Sequence, residues 1–221
     1  MRSRSVWRVA LVVVALVAGL GPLQGPEALD GLVGLAVRRL RLADEVAAAK
    51  YVTGAPVTDA ARERRLLERV GEESAGVGLA PAIGVRFFRA QIEAGKAVQR
   101  GLHARWRADP ASAPRRPPDL ATGVRPRLDR LTLPMVRLLL RLGPLREEPG
   151  RCRDALVRAW PAARAGLDRL HRDALGVALA PLCAPEPAAR APEPPRSAAP
   201  AAAGAGRRAC LSACARPRAS R

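Results

Sequence analysis

Apolar residues recur at helical spacing through most of the chain, and no stretch of useful length shows the alternation typical of a strand. The first helical segment extends from about Leu29 to Val52 and ends at Gly54-Ala55-Pro56. A second opens near Thr58-Asp59 and ends around Gly76 to Gly78, and a third extends from Pro81 to Trp106. The pattern therefore predicts an all-α fold, a single-domain bundle of about five to six helices.

The second half of the bundle is less regular, because prolines interrupt it. Residues 107–119 form a proline-rich connection without an apolar period, which is long for a loop between helices and predicts a defined crossover or a mobile strap. Helical periodicity returns from Leu120 to Leu142, where two prolines are expected to start or kink a helix. The last helix is predicted from about Cys152 to Leu182, with an interruption at Pro161.

The N-terminus has the pattern of a secretory signal peptide, which we assign to residues 1–28. Three arginines precede an uninterrupted apolar run from Val9 to Leu20. That run is shorter than the roughly 20 residues that a membrane-spanning helix needs. Small residues follow, so cleavage is expected within 19–28, and an uncleaved membrane anchor is the alternative. We therefore expect a secreted or periplasmic protein, with no membrane contact after the signal is removed.

Residues 184–221 are rich in Ala, Pro and Arg, which predicts a disordered tail after a helical domain at 29–183. Four cysteines in an exported chain favour disulfides, and three pairings are open. Cys152–Cys183 is favoured among them, because these two cysteines bracket one apolar-periodic segment, whereas the other two lie in the tail. His103 and His171 are too few, and too distant from a cysteine pair, to suggest zinc. We therefore expect no metal site, and we expect His103 on a helix surface.

The net charge of +18 raises nucleic acid as a partner. However, the arginines are scattered among Glu and Asp, and aromatic residues make up only 3% of the chain, so no platform for stacking on bases is evident. The export signal also argues against nucleic acid. A basic helical export protein without enzymatic activity, which binds anionic surfaces or nucleic acid, is the alternative to an enzyme.

Polar residues that could carry chemistry fall on single faces of the predicted helices. Arg39 and Lys50 are separated by three turns plus about 20°, so both point to one side of the first helix. Lys50 is one of only two lysines among 38 basic residues, which hints that an ammonium matters there. On the third helix Gln91, Gly95 and Gln99 form a polar stripe beside the apolar face. A polar stripe against a core needs partners, because a buried amide without one is costly.

These features together resemble the exported chorismate mutases of the all-helical class, in the gamma subclass. The resemblance covers roughly Leu29 to Cys183 and includes Cys152 and Cys183 near the C-terminus of the domain. It rests on LRLADEVAAAKY (40–51), PVTDAARE (56–63), FFRAQIEAGKAVQ (87–99), DPASAPRRPPDL (109–120) and VRPRLD (124–129). It implies an isomerase that rearranges chorismate to prephenate without a cofactor, and a homodimer in which each subunit keeps its own active site.

The resemblance also implies a substrate site made of charged and amide side chains: Arg39, Lys50, Asp59, Arg62, Glu63, Gln99 and Arg125. Arg127 is the alternative to Arg125, because a residue must be gapped near 121–127 to align the arginine of the family. The chain departs from the family pattern at Gly95, where Ser, Thr or Asn is common, and so lacks one polar side chain toward the substrate.

The resemblance implies a separate role for each group of these residues. Arg39 and Arg125 would hold the two carboxylates of the substrate, with Arg62 in support. Lys50 and Gln99 would donate to the ether oxygen as its bond breaks, so Arg39, Lys50 and Gln99 are the expected catalytic residues. Asp59 and Glu63 would accept from the ring hydroxyl or orient the arginines.

Overall fold

Six helices of ten or more residues form the part of the chain, residues 25–184, that this computed structural model describes. They are α1 (Pro26–Thr53), α2 (Ala60–Val77), α3 (Pro81–Ala108), α4 (Thr132–Arg141), α5 (Pro149–Ala163) and α6 (Arg169–Leu179). Residues 25–184 contain no strand, so the predicted all-α bundle of five to six helices is confirmed. None of the helices within those residues is long and apolar enough to cross a membrane.

The predictions for the two ends of the chain lie almost entirely outside the described residues. The exception is the boundary between signal and domain, because α1 already begins at Pro26 and not at Leu29. Ala28 is fully buried in the core. The folded domain therefore uses the last residues that were assigned to the signal peptide.

α1 is the central helix of the bundle. Its buried positions include Leu29, Leu32, Ala36, Leu40 and Ala43, which recur three or four residues apart and line one face. The helix packs against α3, α4, α5 and α6, so four other helices cover its apolar residues. Buried residues occur along the helix from Ala28 to Lys50, so packing holds its backbone in place over most of its length.

The proline-rich connection after α3 is a defined crossover. Pro110–Ser112 form one turn of 3₁₀-helix, and the chain then runs without regular structure to Asp119. The carboxylate of Asp119 accepts from the backbone N–H groups of Ala121 and Thr122 at 2.8 and 3.0 Å, and it starts a π-helical turn at Leu120–Val124. This turn contacts α1 and leads directly into a short helix, Arg125–Asp129, called the crossover helix below.

The predicted interruption of the last helix at Pro161 is wrong in position. Pro161 lies inside α5, and the break falls after Ala163 at 164–168. Proline restricts the residue before it more than those after it, so α5 continues for two further residues. The actual stop is Gly166, whose φ of 69° is a left-handed conformation that favours glycine.

α6 is capped by its own Asp168 carboxylate, and a disulfide and a close helix contact attach it to the bundle. Asp168 caps the helix by accepting from the N–H of His171 at 2.9 Å. Cys183, just beyond the helix, is bonded to Cys152 of α5, the pairing that the sequence favours. Gly101 of α3 faces Leu170, and a Cβ at position 101 would lie 2.6 Å from its side chain, so the two helices approach closely only because residue 101 is glycine.

Candidate active site

One cavity of about 120 Å³ lies between α1, α2, α3 and the crossover helix. Every residue predicted for the substrate site lines it: Arg39, Lys50, Asp59, Arg62, Glu63, Gln99 and Arg125. Arg127, the alternative to Arg125, lies outside and donates from Nη1 to both carboxylate oxygens of Glu45 at 2.8 and 2.7 Å. The structure therefore brings together side chains that are up to 86 residues apart in the sequence.

Arg39 is anchored within the cavity wall by two contacts. Its Nη1 donates to the backbone oxygen of Leu128 at 3.4 Å, and its guanidinium carbon lies 5.4 Å from the centre of the Phe88 ring. Burial lowers the pKa of Arg39 to about 10, with Asp129 opposing the shift and Arg62 adding to it. The group is therefore still a cation at neutral pH, although it has lost much of its hydration.

Lys50 lies in the last turn of α1 and is only 8% exposed. Its Nζ donates to the backbone oxygen of Val57 at 2.6 Å. Burial lowers the pKa of Lys50, and the nearby carboxylates of Asp59 and Glu63 partly offset that effect. Because an ammonium has three hydrogens and one is used by Val57, two remain for other acceptors.

Carboxylates hold two of the cavity arginines in place. Asp59 caps α2 by accepting from the N–H of Arg62 at 3.1 Å, and its other oxygen lies 3.6 Å from Nη2 of Arg125. Asp129 accepts from Nη2 of Arg62 at 3.2 Å and from Nη2 of Arg69 at 3.4 Å. The guanidinium groups of Arg62 and Arg125 are thus oriented by acids on facing elements.

The polar stripe of α3 divides into a structural part and an open part. Gln91 donates from Nε2 to the backbone oxygen of Ala178 at 2.9 Å and so ties α3 to α6. Gln99 is 7% exposed, donates to the backbone oxygen of Gly95 at 3.1 Å, and has a buried Oε1 with no partner among the described residues. A Cβ at Gly95 would meet nothing nearer than the Cβ of Ala43 at 4.0 Å, so the wall is open there.

Two residues of the cavity were missed at the sequence level, Lys96 and Asp129. Lys96 is the second of the two lysines in the chain, so the rarity that singled out Lys50 applied to it equally. It also lies three residues before Gln99, on the same side of α3. For Asp129 the available signal was its spacing of four residues from Arg125, which places both on one side of the crossover helix.

Five cations and three carboxylates line the cavity, which leaves an excess of two positive charges at neutral pH. The cations are Arg39, Lys50, Arg62, Lys96 and Arg125, and the carboxylates are Asp59, Glu63 and Asp129. Ser, Thr, Cys, Tyr and His are all missing from the lining, as far as the described residues go. The excess of positive charge suits the binding and orientation of a small dianion.

The prediction that His103 lies on a helix surface is wrong. The residue is 9% exposed, and its Nε2 lies 2.9 Å from the backbone oxygen of Ala47, which links α3 to α1. Tyr51 and Trp106 pack against its ring, with centroids 5.3 and 5.8 Å away. Tyr51 on α1 and Trp106 on α3 therefore cover a side chain that was expected to face solvent.

His171 lies away from the cavity, between two carboxylates. Its Nδ1 is 2.6 Å from Oδ1 of Asp168, and its Nε2 is 2.8 Å from Oδ1 of Asp44 on α1. Burial alone would lower the pKa of His171, but the bonds to Asp168 and Asp44 outweigh it and raise the pKa. Asp168 also pairs with Arg105 of α3 at 2.7 Å, so this cluster joins α6 to two other helices.

Fold and cavity together define an all-helical protein with a preorganised site for a small dianion. A family model described as chorismate mutase type II matches residues 30–100. A secreted chorismate mutase of Mycolicibacterium smegmatis is 34% identical over 180 residues, which are 79% of this chain and 98% of that relative. The chain belongs to the chorismate mutase type II family.

Two crystal structures extend the likeness to the whole helical domain. A chorismate mutase from Burkholderia thailandensis is 40% identical, with a TM-score of 0.66 over 71% of this chain and 99% of that one. A chorismate mutase from Burkholderia phymatum is 34% identical, with a TM-score of 0.67 over 72% of this chain and 98% of that one. The helical domain is therefore similar to nearly the full length of both proteins.

Proposed function

We propose that the cavity binds chorismate and that the protein, a chorismate mutase, rearranges it to prephenate there. The observation that carries the proposal is the excess of two positive charges in a cavity built on rigid helices. Chorismate has two carboxylates, which match that excess. The reaction is an isomerisation by an intramolecular transfer, in which one carbon–oxygen bond breaks as one carbon–carbon bond forms.

The rearrangement is concerted, so it requires no nucleophile and no proton transfer. What a catalyst supplies is the conformation: a flexible dianion must be held in the chair-like form that reacts. Arg39 on α1 and Arg125 on the crossover helix lie on different walls of the cavity, and each guanidinium suits two-pronged binding of a carboxylate. Arg62, held by Asp129, supports them with a third positive charge.

The ether oxygen gains negative charge as its bond to carbon breaks. Lys50 has two ammonium hydrogens left after its bond to Val57, and Gln99 has one amide hydrogen left after its bond to Gly95. Both groups are nearly buried, which strengthens a hydrogen bond to a developing charge. A preorganised donor of this kind is worth about 3 to 4 kcal/mol of transition-state stabilisation.

The ring hydroxyl of chorismate needs an acceptor, and the first turn of α2 supplies two carboxylates. Asp59 and Glu63 both line the cavity and are connected to each other by a bond from the N–H of Asp59 to Oε1 of Glu63 at 3.4 Å. Either carboxylate can accept from the hydroxyl while its other oxygen keeps its place in the helix cap.

The first experiment is a chorismate-disappearance assay on the purified mature protein, with prephenate measured as the product. We expect saturable conversion that depends on a few cavity residues and changes little with salt. The alternative, a basic export protein without enzymatic activity, has no turnover and an affinity for anionic polymers that falls steeply with salt and is spread over many arginines. Absence of prephenate would contradict the proposed function.

We also propose that the protein is exported and forms a homodimer. The M. smegmatis relative is named a secreted protein, and a buried disulfide suits an oxidising compartment. The seven residues that the resemblance assigns to the site line one cavity within a single chain, which supports a complete site in each subunit. Fractionation of the producing cells tests export, and light scattering of the purified protein tests the dimer.

A further inference from the structure

We propose that Lys96 is a positioning residue, which holds the carboxylate of Glu63 where the ring hydroxyl of chorismate meets it. The inference rests on the proposed function and extends it to a residue outside the set expected from the sequence. Its basis is a contact across the cavity wall, from Lys96 on α3 to Glu63 in the first turn of α2.

Lys96 lies between two carboxylates, of which only one belongs to the cavity. Its Nζ is 3.2 Å from Oε2 of Glu63 and 2.6 Å from Oε1 of Glu93. Glu63 lines the cavity, whereas Glu93 points away and has a side chain that is 54% exposed. The side chain of Lys96 is itself only 12% exposed, so its ammonium is fixed between the two acids and is not a free surface charge.

Glu63 depends on this contact because little else fixes its carboxylate. Its Oε1 accepts from the N–H of Asp59 at 3.4 Å, near the upper limit for a hydrogen bond. Oε2 is held by Lys96, and Lys96 belongs to a different helix. A glutamate has several rotatable bonds, so a second contact from a facing element removes conformations in which the carboxylate misses the substrate.

Lys96 also supplies the positive charge nearest to that carboxylate. The other charged groups around Glu63 are Asp59 and Arg62 on α2, Lys50 on α1, Arg125 on the crossover helix, and Glu93 beyond Lys96. A neighbouring cation favours the ionised form of an acid, and only the ionised form offers both oxygens as acceptors.

The test is a double-mutant cycle of Lys96→Met and Glu63→Gln with kcat and KM measured from pH 4 to 8. Lys96→Met keeps the length of the apolar stem and removes the ammonium. We expect it to lower kcat/KM about tenfold, mostly through KM, because the hydroxyl contact exists in the bound substrate as well as in the transition state. Lys96→Arg, which keeps a cation at this position, should restore part of the loss.

Two further variants separate positioning from general effects on the fold. Glu93→Gln removes the other partner of Lys96 and should leave kcat/KM within about twofold of wild type, since the charge–charge contact it removes is at the surface. The double variant should be no worse than Glu63→Gln alone, because Lys96 acts through Glu63.

Additive losses, or a Lys96→Met variant with the kcat and KM of wild type, would overturn the role of Lys96 while the wild-type enzyme still turns over chorismate. A wild-type protein that forms no prephenate overturns the proposed function itself. The two failures are therefore distinct.

Discussion

Arg62, in the first turn of α2, forms an ion pair at 3.2 Å with Asp129, which ends the crossover helix 67 residues further along the chain. The pair connects the two elements that carry the arginines of the cavity other than Arg39. It also keeps the Arg62 side chain from turning out into solvent. Asp129 holds Nη2 and leaves the other N–H groups of the guanidinium for a ligand. The crossover, long and rich in proline, is thus tied to the helical core at the cavity itself.

We expect Arg39→Lys to lower kcat/KM by about 100-fold or more, roughly 2.7 kcal/mol, although it keeps the charge. An ammonium cannot reproduce the two-pronged geometry of a guanidinium, nor the contact with Leu128 on the far wall. The matched controls are Arg38→Lys and Arg41→Lys on the same helix, outside the cavity, and both should be nearly silent. Equal losses at all three positions would indicate a diffuse basic surface instead of a site.

Substitutions of Gln99 should distinguish the effect of hydrogen-bond donation from the effect of a negative charge at this position. In wild type, kcat/KM should stay nearly flat from about pH 5 to 8, because a neutral amide donates at any pH in that range. Gln99→Glu should be active at low pH and lose activity as its carboxylate ionises and repels the developing negative charge. Gln99→Ala should be poor at every pH, by about 3 to 4 kcal/mol. A Gln99→Glu variant that follows wild type across the range would show that residue 99 does not contact the ether oxygen.

Removal of the disulfide should affect stability and not turnover. The bond between Cys152 and Cys183 closes a loop of 31 residues, which corresponds to about 3 to 4 kcal/mol of stabilisation. Neither sulfur lines the cavity. The Cys152→Ala/Cys183→Ala variant should therefore unfold at lower denaturant concentration while its kcat near 25 °C stays within about twofold of wild type. A selective loss of kcat in a fully folded variant would be the contrary result.

The cluster at His171 predicts that stability falls as pH rises. Its bonds to Asp168 and Asp44 raise the pKa of His171 above the ordinary value of about 6.5, so the charged form is favoured in the folded state. The stabilisation is fully present below about pH 6.5 and is lost as pH rises through the higher, folded-state pKa. Urea unfolding between pH 5.5 and 9 should show this decline in wild type and a flatter profile in His171→Gln. His103→Gln is the control and should keep the decline.

Two glycines of α3 should respond in opposite ways to the same substitution. Gly95→Ser has room for its side chain, because only the Cβ of Ala43 lies within 4 Å, and it adds a hydroxyl at the cavity wall. We expect it to gain about 0.5 kcal/mol in stability from helix propensity and to raise kcat/KM several-fold through the added donor. Gly101→Ser forces a contact with Leu170 and should lose about 1 to 3 kcal/mol. A drop in kcat/KM for Gly95→Ser would mean that the open wall is already filled by bound substrate.

The long helices and the seven residues of the cavity lining were predicted from the sequence on different grounds. α1, α2 and α3 have strong apolar periodicity and clear stop signals, so their ends were correct to within three residues. The site residues followed from a resemblance over ordered motifs, which fixes positions that periodicity cannot. Arg125 and Arg127 could not be separated in that way, because both lie on one short helix and only tertiary packing turns Arg125 inward.

What the sequence did not predict depends on contacts between distant segments. The bond of Lys96 to Glu63 joins helices whose relative rotation is set by the whole core. His103 is buried because Tyr51 and Trp106 pack against its ring, and no local sequence pattern indicates this packing. The break at Gly166 was attributed to Pro161, because proline is the stronger breaker in general even where a nearby glycine is the actual stop.

Both lysines of the chain are in the cavity wall, and neither is much exposed: Lys50 is 8% exposed and the side chain of Lys96 12%. Apart from the terminal amine, the folded domain therefore offers amine-reactive reagents no target outside the proposed active site. Acylation of these two lysines should inactivate the enzyme in proportion to their modification, and bound substrate should protect both positions. For the same reason a lysine-specific protease finds no bond to cut until the bundle opens, so its cleavage rate reports on unfolding directly.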